Sequence, residues 1–252
     1  MSQPVVTSLE KGILSVTLNR AEKRNAINAA SVELLHEFLE QADLDANVRV
    51  VVLRGAGKDF CAGADLDELL ASADHAPDQN EATAYRLGQI FERIRALPKP
   101  VVALVQGKAL AGGAGLATAC DLVLASDSAQ LGYPEIQRGF VPAMVATLLY
   151  RAVGEKIALD LMLTGRLLGA EEARVAGLIS RVVPAGELQN EGIALALQLA
   201  GSSATALALT KRVCFEQEGK TFAEGIRLGA RVNAVARSTP DFRTSIASFL
   251  KT

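Results

Sequence analysis

One pattern occurs twice in this chain and narrows its folds more than anything else. A short β-rich run, a turn of small residues containing glycine, and a helix-like stretch follow one another at 48–70 and again at 101–120. Val48 to Leu53 and Val101 to Val105 are too short to stand as core helices, and glycine or proline punctuation bounds them, so both read as buried strands. Strand, crossover helix and next strand in succession favour an α/β core with successive crossover units. The two turns are Cys61-Ala62-Gly63-Ala64-Asp65 and Gly107-Lys108-Ala109-Leu110-Ala111-Gly112-Gly113-Ala114-Gly115. Each stands just before a helix N-terminus, where backbone N–H groups lack partners and small side chains let a ligand approach. Two such turns side by side can pinch one oxygen, although small residues serve tight turns and close packing equally well. The second turn has neither a G-x-G-x-x-G spacing at its helix start nor a Walker Gly-Lys-Ser/Thr ending, which speaks against a nucleotide triphosphate.

The flanking segments fill in the plan. Val5 to Leu9 and Ile13 to Leu18, split by Glu10-Lys11-Gly12, predict a hairpin. Asn28 and Ser31 are candidate caps for a helix carrying Val32, Leu35, Phe38, Leu39 and Ala42 on one face. Asp65-Leu66-Asp67-Glu68 has the acidic first turn of another helix. Residues 71–81 are polar, contain Pro77 and show little period, which predicts a mobile surface loop. Tyr85 to Leu97 predicts a helix ended by Pro98-Lys99-Pro100, and Asp121 to Ala125 a further strand. Glu135 follows Pro134 at the start of a short helix, where it either complements the helix dipole or transfers protons. From Glu187 onward the pattern is helical, with a break at Gly201-Ser202-Ser203. The organisation expected is a core over 1–200 and a helical C-terminal subdomain over 201–252.

A chain of 252 residues, half of them apolar, can bury a sizeable core. A formal net charge of -2 with interspersed signs offers no basic face for nucleic acid. No apolar run approaches the roughly 20 residues of a membrane helix. The start, Met1 to Val6, lacks the basic and apolar regions of a secretory signal, so a cytoplasmic location is expected. Three widely spaced cysteines, Cys61, Cys120 and Cys214, fit reduced thiols. With only two histidines, His36 and His75, a His-rich metal site or an ordinary Ser-His-Asp triad has almost no parts to draw on. Catalysis, if any, falls to carboxylates and backbone dipoles.

Longer motifs add a resemblance. Leu18-Asn19-Arg20-Ala21-Glu22-Lys23-Arg24-Asn25-Ala26-Ile27-Asn28 resembles the early L-N-R-P-x-K-x-N-A-L-N signature of the enoyl-CoA hydratase/isomerase (crotonase) family. Phe60 to Leu66 resembles its F-x-A-G-A-D-L/I turn. Pro100 to Asp121 resembles its second glycine block, and Gly132-Tyr133-Pro134-Glu135-Ile136 its P-E motif. Ala170 to Pro184 is similar to a later A-x-E-A-x-x-x-G-L-V-x-x-V-V-P run, so the likeness covers nearly the whole chain. It implies an α/β, crotonase-like spiral of β-β-α units with a helical C-terminal part. It implies an acyl-CoA thioester substrate, no separate cofactor, and a homotrimer or dimer of trimers. It places the backbone N–H groups of Ala62 and Gly112 in an oxyanion hole and makes Glu135 the general acid/base. Lys23, Arg24 and Ala26, with Gly63, Ala64 and Asp65 of the first turn, would bind coenzyme A and substrate. The loop 71–83, Phe140 and Met144 could each wall an acyl tail, although the apolar character of the last two serves core packing equally well.

In one respect the chain departs from the pattern. Family hydratases carry two glutamates, and Gly115 stands where the first would be. Water addition suits paired carboxylates, whereas a double-bond shift needs one base that takes a proton from one carbon and returns it to another. The residues therefore fit isomerisation of 3-enoyl-CoA to 2-enoyl-CoA somewhat better than hydration. Acyl-CoA hydrolysis or decarboxylation, and a non-catalytic CoA-binding role, stay open as alternatives.

Overall fold

β-Branched runs and glycine turns alternate along the chain, and the architecture follows them. The computed structural model describes residues 3–250; Met1 and Ser2 of the N-terminal stretch, and residues 251 and 252, lie outside the described residues. In chain order the strands are β1 (Val5–Glu10), β2 (Ile13–Leu18), β3 (Val50–Gly55), β4 (Val101–Val105), β5 (Lys108–Leu110), β6 (Leu122–Ser126), β7 (Gln130–Gly132), β8 (Leu167–Gly169) and β9 (Arg181–Val183). The helices are α1 (Ala29–Leu44), α2 (Leu66–Ala71), α3 (Pro77–Ala96), α4 (Gly112–Ala119), α5 (Ala143–Val153), α6 (Glu155–Thr164), α7 (Ala170–Ala176), α8 (Leu188–Ala200), α9 (Ala204–Glu216), α10 (Phe222–Ser238) and α11 (Pro240–Phe249).

β1 and β2 form the expected antiparallel hairpin, turning on Lys11 and Gly12 at φ 50° and 79°. Positive φ at both turn residues matches the twist of the flanking strands. From β2 the pairing becomes parallel, and the six-stranded sheet runs β1-β2-β3-β4-β6-β9. A smaller sheet, β5-β7-β8, stands beside it. Every residue of β4 is buried, as expected for a parallel strand covered on both faces.

The period-2 alternation divides the core. Leu14, Val16, Val51, Leu53, Val101, Ala103 and Val105 face the main core with Leu35 and Leu39 of α1, Ile90, Phe91 and Ile94 of α3, and Leu116 of α4. Ile13, Val50, Val52, Val102, Leu104 and Leu124 face the other way and are covered by Leu188, Leu195 and Ala196 of α8. Gly192 lets α8 lie close, because a Cβ there would stand 2.4 Å from a Leu104 methyl. After α8 the chain bends by 104° into α9. α9 and α11 contribute no buried residue, and α10 only Gly225 and Leu228. α9 is nonetheless fastened to the core through Lys211, whose Nζ lies 2.8 Å from Asp121 Oδ2 and donates to the carbonyls of Ile94 and Lys99 at 2.7 and 3.2 Å.

The loop expected over 71–81 is instead mostly helical. Ser72–Asp74 form a 3-10 turn and α3 begins at Pro77. Proline suits a first helical position, where no N–H is needed, and the Ala76 N–H donates to the Gln79 side chain at 3.2 Å. The first turns of α3 face away from the core, with nothing buried before Ile90, so no apolar period marks them in the sequence.

Candidate active site

The site is assembled where the two glycine turns meet. Cys61 N–H donates to Lys108 O at 3.1 Å and Leu110 N–H to Cys61 O at 2.9 Å, which stitches one turn to the other. Gly63, at φ 98°, brings them into contact: a Cβ there would stand 2.9 Å from Ala111 Cβ and 3.6 Å from Gly112 N. On its other side the first turn pairs with residues 24–27. Ala62 N–H donates to Arg24 O at 3.0 Å, Ile27 N–H to Gly63 O at 2.8 Å, and Asp65 N–H to Ile27 O at 2.8 Å.

This network corrects one expectation. The Ala62 N–H, expected to hold a substrate oxygen, is already bonded to Arg24. Gly63 N–H meets Cys61 Sγ at 3.5 Å. Of the amides from 61 to 65, only that of Ala64 has no partner among the described residues. In the second turn, Leu110 and Ala111 N–H donate to Cys61 O and Gly132 O, while Gly112 N–H, first in α4, is open. Gly63 shapes the turn, and its neighbours Ala62 and Ala64 line the cavity.

Ala62, Ala64, Gly112 and Glu135 all line one cavity of about 690 Å³. Lys23, Arg24, Ala26 and Asp65 lie on its wall too, and Leu70, Leu87, Phe91, Phe140, Met144 and Val145 give it a largely apolar stretch. Glu135 sits in a 3-10 turn, Pro134–Arg138, closed by Gly139 in the left-handed conformation at φ 68°. Tyr133, fully buried, ties that turn to α4 through a 2.9 Å hydrogen bond with the Thr118 hydroxyl. Glu135 as a residue is 9% exposed, and its buried Oε2 has no hydrogen-bond partner among the described residues. Burial raises its pKa above the ordinary glutamate value, partly offset by a backbone hydrogen bond and by the charge of Arg138. Cys61 is buried and its thiol is pushed up to about 12, so it stays protonated and is no nucleophile.

The other acids on the wall are engaged. Asp65 pairs with Arg20 at 2.8 Å and caps α2 by accepting from Asp67 N–H. The Arg20 hydrogen bond in particular holds the Asp65 carboxyl below its usual range. Asp67 pairs with Lys23 at 2.8 Å, with both partners well exposed. Arg24 lies 3.9 Å from Asp59. Arg24 and Asn25 are both left-handed, at φ 51° and 56°. That shape is held by Asn25, whose side chain accepts from Arg20 N–H and donates to Ala56 O and Asp59 O. Arg20, Asn25 and Asp59 thus position the loop that carries Lys23, Arg24 and Ala26. The motif containing Arg20 and Asn25 was visible in the sequence, but their partners are not local to it.

Residues 8–252 match the family model described as enoyl-CoA hydratase/isomerase. The chain belongs to the enoyl-CoA hydratase/isomerase family. It is 43% identical over 247 residues to a putative enoyl-CoA hydratase of Thermus thermophilus, covering 98% of each chain. It is 33% identical over 252 residues to the 1,2-epoxyphenylacetyl-CoA isomerase of Escherichia coli, covering 99% of this chain and 96% of that one. The crystal structure of an enoyl-CoA hydratase from Mycobacterium smegmatis superposes with a TM-score of 0.95 at 29% identity, over 99% of this chain and 97% of the other. The α/β architecture is therefore the crotonase fold, in a family that acts on acyl-CoA thioesters.

Proposed function

We propose that this family member shifts a double bond in an acyl-CoA thioester, from the 3-enoyl to the 2-enoyl form, with Glu135 as its single general acid/base. The observation that carries this is the state of the carboxylates: Asp65 and Asp67 are paired, while Glu135 keeps a buried oxygen without a partner. The thioester oxygen would lie between the open N–H groups of Ala64 and Gly112. Preorganised donors of this kind lower the barrier to an enolate by about 3–4 kcal/mol each. Glu135 takes the proton from C2, the dienolate is held, and the same proton returns to C4. No water is consumed and no second acid is required.

Lys23 and Arg24, exposed beside the cavity, suit the phosphates of coenzyme A. The exposed Phe222, Ile226 and Phe249 on the C-terminal helices suit burial between subunits of a homotrimer or dimer of trimers. Hydration of 2-enoyl-CoA is the second reading, favoured by the hydratase names of several relatives.

Glu135→Gln tests the proposal. Turnover should fall about 10²–10⁴-fold while CoA-thioester binding persists; full activity on every thioester tried sinks the role. Because the folded pKa of Glu135 is raised, the parent's rate should fall with acid at a pH above the ordinary glutamate value. For stability the sign is opposite to that of a paired acid. Ionising Glu135 costs stability as pH rises from the unfolded value through the folded one. Glu135→Gln should therefore melt higher than the parent at neutral pH, on the order of 2–4 °C for about 1 kcal/mol, with no gain in acid.

A further inference from the structure

α4 opens Gly-Gly-Ala-Gly, and the reason for its fourth residue is steric. A Cβ on Gly115 would lie 2.5 Å from Val145 Cγ1 and 2.9 Å from Phe91 Cζ, well inside the roughly 3.5–4.0 Å of an ordinary carbon contact. Neither neighbour is free to retreat. Phe91 and Val145 are each 4% exposed, and Phe91 is flanked on α3 by the buried Ile90 and Ile94. Val145 is β-branched and stiff on its helix. Both side chains also line the cavity that holds Glu135. The space beside Gly115 is thus apolar wall, supplied by two helices, α3 and α5, that lie outside the glycine block.

Position 115 is where the family pattern carries its first glutamate. We infer that Phe91 and Val145 set the reaction type, by filling the volume that a second carboxylate and its water would need. The inference rests on the single-carboxylate reading above and adds residues to it. A carboxylate placed there alone would have its stem pressed against a phenyl ring and an isopropyl group, an apolar setting that is costly for a charge. Proton return to carbon is then the open course, and addition of water is closed. Reaction choice belongs to a set of three positions, and Gly115 alone does not decide it.

The experiment follows bond migration and 3-hydroxyacyl-CoA formation separately in four proteins on the same pair of enoyl-CoA thioesters. They are the parent, Gly115→Glu, Phe91→Ala/Val145→Ala, and the triple variant combining all three changes. Hydration should stay at background in the first three and rise about a hundredfold in the triple. A folded Gly115→Glu that hydrates as well as the triple overturns the inference, as does a folded triple that hydrates no better than the parent. Should the triple variant fail to fold, melting of the alanine pair decides. Gly115→Ala should melt several degrees below the parent, and adding Val145→Ala should recover most of the loss; an unshifted Gly115→Ala refutes the packing claim. A parent that hydrates faster than it migrates the double bond sinks the single-carboxylate reading itself, whereas a migrating parent with an unchanged triple sinks only this extension.

Discussion

The two glycine turns share a plan but start their helices differently. The first is closed: Asp65 caps α2 with its side chain, Arg20 neutralises Asp65, and the amides of Cys61, Ala62 and Asp65 donate to backbone carbonyls. The second has no side-chain cap. Ala111 takes φ 51° and ψ -126°, an unusual setting for a residue with a Cβ, and the Gly112 N–H that follows is open. One turn therefore offers a single amide from a braced loop, and the other offers a bare helix start. What distinguishes a ligand-ready amide from a structural one is its hydrogen-bond partner, which a glycine motif does not specify.

Three measurements would sharpen or break that contrast. The largest effect is expected from replacing one amide at a time by an ester, which deletes the donor and keeps the shape. At position 64 kcat should drop about 10²–10³-fold. At position 62 kcat should hold, with a stability loss of about 1 kcal/mol seen in denaturant melts; equal kcat losses at both positions would erase the distinction.

Next in size is Arg20→Met, aimed at the brace of the first turn alone. Leaving Asp65 buried without its partner should cost about 3 kcal/mol at neutral pH. Since Arg20 lowers the folded pKa of Asp65, the parent's advantage is full above the ordinary aspartate value and disappears as pH falls through the lowered one. Melts at neutral and acid pH should show the gap narrowing. A constant gap would mean that the guanidinium acts through its 2.7 Å bond to Ala26 O instead.

The smallest effect belongs to Ala111→Gly in the second turn. Relief of the positive φ is worth about 1–2 kcal/mol and the added freedom of the unfolded chain costs about 0.5–1. A net gain of up to about 1.5 kcal/mol is expected, and a clear loss would show that the Ala111 methyl, packed near Gly63, matters more than its backbone.

Features set by neighbouring residues could be read in advance. The β1–β2 hairpin, the Asn28 cap, the buried run of β4 and the short helix at Pro134 all follow from local chemistry. The start of α3 escaped because its first turns bury nothing, leaving Pro77 and Gln79 as the only signals. Choosing between Ala62 and Ala64 required knowing that the 24–27 segment lies alongside the turn, and the filled space at Gly115 depends on side chains from two other helices. Such long-range facts arise from tertiary packing and leave no periodic trace.

The clasp between Lys211 and Asp121 also bears on the order in which the chain is made. The two residues are 90 positions apart, so a ribosome delivers the acid long before its base. Until α9 emerges, Asp121 has the Val101 amide as its answer, and a buried charge lacking its counterion is penalised by about 3–5 kcal/mol. A nascent chain halted between β9 and Lys211 would carry the complete six-stranded sheet and still hold an unbalanced carboxylate at the start of β6, which makes α9 a late stitch of the core although it buries none of its own residues.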